Sequence, residues 1–342
     1  MNGLGYDVTI ISLLFNALIL IALNYKKLNI LSLFSFYYIL VSIYNFTAIA
    51  VFDIIIISNL IREINIHKLA FINVMMITMF IGCLYFMSMM GIINSEEWIS
   101  SKGTATSLGL NNPNALGIWF YYLIVNMRLS LIKRPNFMFF VVIVIITYFA
   151  FGLSYSRTTL LGSLIFIILV FLNDRKGIKL NNKIIEYSPL LLFSLILLVT
   201  FVIAKALPEI DLVFSYRFSI YLKLLSDMSV SDIFMGYRVP EGQAMDNAFL
   251  MLLFEGGSIS IFLLIVYFRK MTQQYTSSYM PFLLSMLLVG LAENTFSVPS
   301  TTSILFWSMI LYKREDCIDK VIISRNKKRY LTSHFSNNLI LN

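Results

Sequence analysis

The sequence predicts an all-α, polytopic membrane protein of about eleven transmembrane helices with one large external loop. Three observations carry this. The chain is 58% hydrophobic, against roughly 45–50% for soluble proteins. Several of its apolar runs approach or exceed the ~18 residues that a lipid-spanning helix needs, and none alternates as barrel strands do. The basic residues cluster between the runs, as the positive-inside rule demands of cytoplasmic loops. The membrane domain is expected to fill residues 1–314, with an external loop at 206–246 and a basic tail at 315–342.

The first span is read at 8–23, closed on the cytoplasmic side by Lys26 and Lys27. The run 28–61 is too long for one span and is read as two short helices turning near Asn45. The alternative is one long tilted helix with an interfacial end starting near Asp53. Arg62, His67 and Lys68 then lie inside. The fourth span is 69–91, followed by an outer loop at 92–113. The fifth, 114–131, ends at Lys133 and Arg134, and the sixth, 137–154, emerges at Ser154-Tyr155-Ser156-Arg157. The seventh, 158–172, returns to a loop carrying Arg175, Lys176, Lys179 and Lys183. The eighth, 189–205, emerges into the large loop. The ninth, 247–268, ends at Arg269 and Lys270, the tenth covers 279–294, and the eleventh covers 301–312 before Lys313 and Arg314. Two spans within 28–61 keep every cluster of bases on the cytoplasmic side, whereas one span there would invert everything downstream. The tail, with Arg325, Lys327, Lys328 and Arg329, is expected on anionic lipid.

Charge and motif content exclude several functions. The formal net charge of +8 sits between spans and in the tail, so it argues for membrane topology and against a nucleic-acid partner. Two cysteines, Cys83 and Cys317, and two distant histidines, His67 and His334, provide no metal spacing. The first seven residues are not basic and do not resemble a cleaved signal peptide. Neither a phosphate-binding loop nor a zinc-protease motif is present. No cofactor is expected.

The stretch 206–257 is the most informative. It is the longest polar segment between apolar runs and leads into a run that hides Glu255 beside Gly256 and Gly257. The outer face carries isolated positives, Arg157, Arg217 and Arg238 among them. An arginine at a membrane boundary is costly without a partner, and its planar fork suits two phosphate oxygens at once. Each has a plainer account. Arg157 is otherwise a snorkelling side chain at a helix end. Arg217 is otherwise a rim charge on an amphipathic helix bearing Phe218, Tyr221, Leu222 and Leu225, lying on the membrane surface. Arg238, in Gly236-Tyr237-Arg238-Val239-Pro240, is otherwise a solvated loop charge.

Asp246 and Asn247 open the ninth span. Asp246 is either a helix cap or a carboxylate at the mouth of a cavity, able to orient or deprotonate a sugar hydroxyl. Glu255 lies deeper and is expected to pair with Arg157 or Arg217. Glu293, near the outer end of the tenth span, borders the same region. Asn112 and Asn114 read as turn and cap residues whose amides also suit sugar hydroxyls. Glu209 and Asp211 are the only close acid pair in the loop and a weak divalent-ion signal.

Four stretches in order resemble the O-antigen polymerase and ligase family of bacterial inner membranes. They are Asn112-Pro113-Asn114-Ala115-Leu116-Gly117, Ser154-Tyr155-Ser156-Arg157-Thr158-Thr159-Leu160-Leu161-Gly162, Tyr216-Arg217-Phe218, and Phe234-Met235-Gly236 through Asp246-Asn247-Ala248-Phe249-Leu250 to Glu255-Gly256-Gly257. The resemblance implies a GT-C-like, metal-independent glycosyltransferase in the inner membrane with its site facing the periplasm. It implies undecaprenyl-diphosphate-linked oligosaccharide as donor and acceptor, membrane lipid around it and a chain-length regulator as a partner. It assigns Arg157, Arg217 and Arg238 to the diphosphate, while the reading of the residues themselves gives Arg217 and Asp246 to catalysis and Glu255, Asn247, Asn112 and Asn114 to support. Ligases of this family commonly carry a histidine where this chain has Asp246, which favours the polymerase branch. A flippase or other transporter of lipid-linked oligosaccharide is the reading from a different class.

Overall fold

The computed structural model describes residues 37–38, 40–42, 44–45, 48–93, 97–100, 103–110, 112–131, 135–176, 182–240, 243, 245–273 and 277–311. The expected first span and the basic tail lie outside the described residues. The rest is predominantly helical: α1 (Ala48–Leu60), α2 (Ile66–Met89), α3 (Pro113–Ser130), α4 (Phe137–Ser154), α5 (Arg157–Lys176), α6 (Asn182–Glu186) and α7 (Ser188–Ala206). Three short helices follow, α8 (Pro208–Val213), α9 (Arg217–Asp227) and α10 (Val230–Met235), then α11 (Ala248–Thr272), α12 (Met280–Val289) and α13 (Thr301–Leu311).

Helix starts follow local chemistry. Asn65, Asn112, Asn136 and Asn247 each accept backbone N–H bonds at the first turns of α2, α3, α4 and α11. Pro113, Pro189 and Pro281 sit in first turns, where a missing N–H costs nothing. The chain is interrupted at Asn45, where two short helices are expected to turn, and α1 begins at Ala48.

Four described helices are long and apolar enough to cross a membrane: α2, α4, α7 and α11. In α11, 67% of the apolar window is buried, against 17–28% in the other three. This makes α11 the central helix, with α2, α4 and α7 on the outside. The outer helices expose large apolar side chains such as Met75, Met79 and Phe86 on α2 and Ile145 and Tyr148 on α4. Surfaces of that kind belong in lipid, and the chain is a membrane-embedded helical protein.

One expected span is shorter than a bilayer requires. Helix α12 has 10 residues and stops at Gly290, about 15 Å against a hydrocarbon core of about 30 Å. The expected tenth span ends at Val289 because the chain turns at Gly290. The inner helices are tied by polar contacts. Asn73 Nδ2 donates to Asn126 Oδ1 at 3.1 Å and Asn126 Nδ2 to Thr302 Oγ1 at 2.8 Å, joining α2, α3 and α13.

The all-α expectation holds, with one short hairpin added outside the helices. The outer loop 92–113 contains an antiparallel hairpin of β1 (Glu97–Ser100) and β2 (Gly103–Thr106), with Glu97 opposite Thr106 and Ser100 opposite Gly103. The β-branched and aromatic residues Trp98, Ile99, Thr104 and Thr106 suit extended backbone.

Helix α11 is broken. Gly257 has φ 65° and ψ 179° inside it, a conformation essentially reserved for glycine. The break receives α10 from the loop. A Cβ on Gly257 would stand 1.9 Å from the Phe234 carbonyl oxygen, and one on Gly236 (φ 83°) 2.6 Å from that of Phe254. Carbonyls freed near the break are taken up. Phe254 O accepts from Tyr237 N and from Asn45 Nδ2, and Gly256 O accepts from the Tyr37 hydroxyl.

Candidate active site

The site is built where the loop helices return to the mouth of α11. Helix α8 ends in a turn whose residues Ser215 and Tyr216 both have positive φ, 56° and 59°. Each such residue costs roughly 1–2 kcal/mol, so the turn needs outside support. Asp211 supplies it. Its Oδ1 accepts from Phe218 N at 2.9 Å, and its Oδ2 accepts from Ser219 N at 3.0 Å and from the Ser219 hydroxyl. The carboxylate seen as a weak cation ligand is instead a buried cap on α9. The result fixes Arg217 as the first residue of α9. The expected amphipathic helix is present, but its apolar residues Phe218, Tyr221 and Leu224 are buried in the protein, and α9 packs against α7.

At the mouth of α11 the cap is Asn247, not Asp246. Asn247 Oδ1 accepts from Phe249 N and Leu250 N, each at 3.0 Å, and its Nδ2 donates to Leu291 O at 2.7 Å. Ala248 N donates to Gly290 O at 2.7 Å. Asp246, one residue earlier, is released from capping. Its Oδ2 lies 2.6 Å from Arg217 Nη2, with both side chains about one-third exposed (33% and 27%). A pair still open to water contributes little to stability, typically ~0–1 kcal/mol, but it holds a guanidinium in one orientation.

Further groups complete the cluster. Tyr221, one turn along α9, lies within hydrogen-bond reach of the Asp246 backbone, and burial pushes its phenol up to about 12. It is therefore a neutral donor at physiological pH. The Leu291 and Gly290 contacts bring the segment after α12 to the mouth of α11, and Glu293 arrives within electrostatic range of Asp246 and Arg217. The Thr158 hydroxyl on α5 lies beside the Glu293 carboxyl. Helix α5 comes this close to α12 because Gly162 has no side chain: a Cβ there would stand 2.6 Å from Val289 Cγ2.

Arg157 is exposed at the first turn of α5, next to Thr158 and behind Ser156, whose Oγ accepts from Thr159 N at 3.3 Å. Asn112 is the cap of α3, accepting from Ala115 N at 2.8 Å, and Asn114 follows in the first turn. Arg238 is exposed on a strand of loop anchored through Tyr237 N to Phe254 O, two turns into α11 rather than at its mouth. Glu255 does not form the expected ion pair. Arg217 pairs with Asp246, and Glu255 is buried beside Ser297 and Tyr38, with Oε2 lacking a hydrogen-bond partner.

Sequence reasoning did not single out Thr158 or Tyr221 as site residues. Thr158 directly follows Arg157 in a quoted stretch, a usable signal. Tyr221 was read only as part of an apolar face, and its phenol gives it a second role. No protein family, curated protein or solved structure matches the chain.

The assembled groups are a guanidinium held in one plane, two carboxylates, a neutral phenol and a second arginine one helix away. They lie where a polar loop meets apolar helices. That combination suits an anionic group carried on a lipid and a hydroxyl brought up to it.

Proposed function

We propose that the chain is a membrane-embedded glycosyltransferase of the O-antigen polymerase kind. In this reading it transfers a growing glycan from undecaprenyl diphosphate onto a new lipid-linked repeat unit at the periplasmic face of the inner membrane. The Arg217–Asp246 pair at the mouth of α11 carries the reading. Arg217 takes up diphosphate charge as the glycosidic bond breaks, with Arg157 and Arg238 as further diphosphate contacts. Asp246 sets the guanidinium and orients the acceptor hydroxyl. Asn112, Asn114, Asn247 and Glu255 support the surrounding helices. The stretches that carry the resemblance also meet in space: Tyr216-Arg217-Phe218 at Asp246-Asn247, and Gly236 at Glu255-Gly256-Gly257.

Ligases of the family commonly carry a histidine at this mouth, where this chain has Asp246. His67 is engaged elsewhere, its Nδ1 2.6 Å from Leu129 O and its Nε2 3.2 Å from the Tyr279 hydroxyl. These contacts lie at the end of α3 opposite Asn112. Deletion of the gene tests the reading. A polymerase deletion leaves one repeat unit on each lipid A core, and complementation restores the ladder. Loss of all repeat units would instead indicate a ligase or flippase. The purified protein is expected to elongate chains in excess chelator, because both Asp211 oxygens are engaged by α9. Activity lost to chelator and restored by magnesium would overturn the metal-independent assignment.

A further inference from the structure

We infer that Glu293 is the group that accepts the proton of the acceptor hydroxyl, an inference that rests on the glycosyltransferase reading. Two carboxylates face the mouth of α11, and they are not equivalent. Asp246 has an oxygen 2.6 Å from the Arg217 guanidinium. That oxygen is taken up by the guanidinium and is not open to an incoming hydroxyl. Glu293 is buried, and its Oε1 has no hydrogen-bond partner among the described residues. A buried oxygen of this kind is costly unless something binds there. The Thr158 hydroxyl lies beside this carboxyl group, and Oε1 is left for an incoming donor.

The surrounding structure places Glu293 deliberately. Asn247 Nδ2 to Leu291 O and Ala248 N to Gly290 O, each 2.7 Å, pin the turn that carries it to the first turn of α11. The close approach of α5 at Gly162 delivers Thr158 from the other side. A residue with only a structural part in the core would have no use for an unpartnered oxygen within electrostatic range of an arginine.

The step balances as follows. The acceptor oxygen forms a bond to the anomeric carbon of the donor glycan while the bond from that carbon to the diphosphate oxygen breaks. The electron pair leaves with undecaprenyl diphosphate, whose growing charge Arg217 meets. The acceptor proton passes to Glu293 Oε1 and leaves to water before the next cycle.

The test uses full-length protein in proteoliposomes, supplied with the lipid-linked repeat unit extracted from the deletion strain. Chain growth is read on gels and undecaprenyl diphosphate release by mass spectrometry. Glu293→Gln should lower elongation by about 10²–10⁴-fold, the usual contribution of a positioned base. Glu293→Ala should do the same but should release undecaprenyl diphosphate when azide is added, because azide is an anionic nucleophile with no proton to remove. Wild-type elongation by Glu293→Gln would overturn the role. So would a Glu293→Ala protein that azide does not rescue, which would mark the residue as structural. Thr158→Val keeps the carboxylate and removes the hydroxyl that lies beside it. It should slow elongation several-fold with the azide reaction of Glu293→Ala unchanged in the double variant, and unchanged elongation would also overturn the role, even if the Glu293 variants do not fold. A wild-type protein that releases no undecaprenyl diphosphate sinks the glycosyltransferase reading itself, whereas an active wild type beside an active Glu293→Gln sinks only the inference.

Discussion

Arg217 illustrates how much a single residue can disclose. Its position in a boundary loop, against the charge rule, marked it as a site candidate, and in the structure it meets Asp246 at 2.6 Å. A lysine in its place would keep the charge and lose the planar pair of donors. Arg217→Lys is therefore expected to lower chain elongation by about 10²–10³-fold, as loss of other charge-stabilising donors does. Asp246→Asn should cost less, because the guanidinium is freed but remains. Ladder length in a complemented deletion strain, with abundance checked by blot, reads both. A full ladder from Arg217→Lys at normal abundance would refute two-oxygen contact with the diphosphate. The helix-cap explanation of Asp246 is removed by Asn247, which does the capping. Sequence alone did not separate these neighbours. Capping is decided by which residue leaves helical backbone angles, and that shifts readily by one or two positions. Glu255 was assigned the wrong partner for a related reason. Depth along a helix is readable from residue number, but the direction a buried side chain faces depends on what packs against it.

Among the elements, helix ends were the most legible. Expected bounds of 137–154 and 189–205 stand against Phe137–Ser154 and Ser188–Ala206, because long apolar runs ending in Asn, Pro or basic residues have few alternatives. The break in α11 was not legible. Gly256-Gly257 was visible, but a glycine in a helix opens it only when another element occupies the gap, here α10. Gly257→Ala should therefore be severe, since the residue sits at φ 65° and its new Cβ would meet the Phe234 carbonyl. Backbone strain of that kind alone costs about 1–3 kcal/mol. Gly82→Ala, in α2 with open space around it, should be neutral or slightly stabilising. Thermal unfolding in detergent compares the two, and equal midpoints would show that the break is not required. Helix α10 also has an acid-labile start. The Ser229 hydroxyl, with its backbone N–H and the Tyr44 hydroxyl, holds the Asp232 carboxyl below its ordinary value, against a smaller opposing effect of burial. A lowered folded-state value means the contribution is present above the unfolded value, near pH 4, and is lost as pH falls through the folded one. Hydrogen exchange across 229–236, corrected for intrinsic rate, should lose protection below about pH 4. Unchanged protection there would show that the capping box does not anchor α10.

The whole molecule is asymmetric in a way that composition foreshadowed. The largest polar segment folds into three small helices and closes over one end of the bundle, where Arg217, Asp246, Tyr221 and Glu293 gather. Membrane character was legible because it rests on summed hydrophobicity, which local packing does not alter. The number of full crossings was not. An apolar run of a given length reads as a span whether its helix is continuous, as in α4, or stops after 10 residues, as in α12. Sidedness follows from charge. We propose from the bases in the 175–183 loop, and from Arg269 with Lys270 at the end of α11, that these ends are cytoplasmic and that α8, α9 and α10 lie on the opposite face. Two exposed residues report on this, Ser229 before α10 and Ile184 on α6. Each is changed to cysteine in a background where Cys83 and Cys317 are serine, so that the exposed Cys83 gives no signal of its own. An impermeant thiol reagent added to intact cells, with the outer membrane permeabilised, should label the cysteine at 229 and spare the one at 184 until the inner membrane is opened. The reverse pattern would move the Arg217–Asp246 pair to the cytoplasmic face, and with it any substrate presented there.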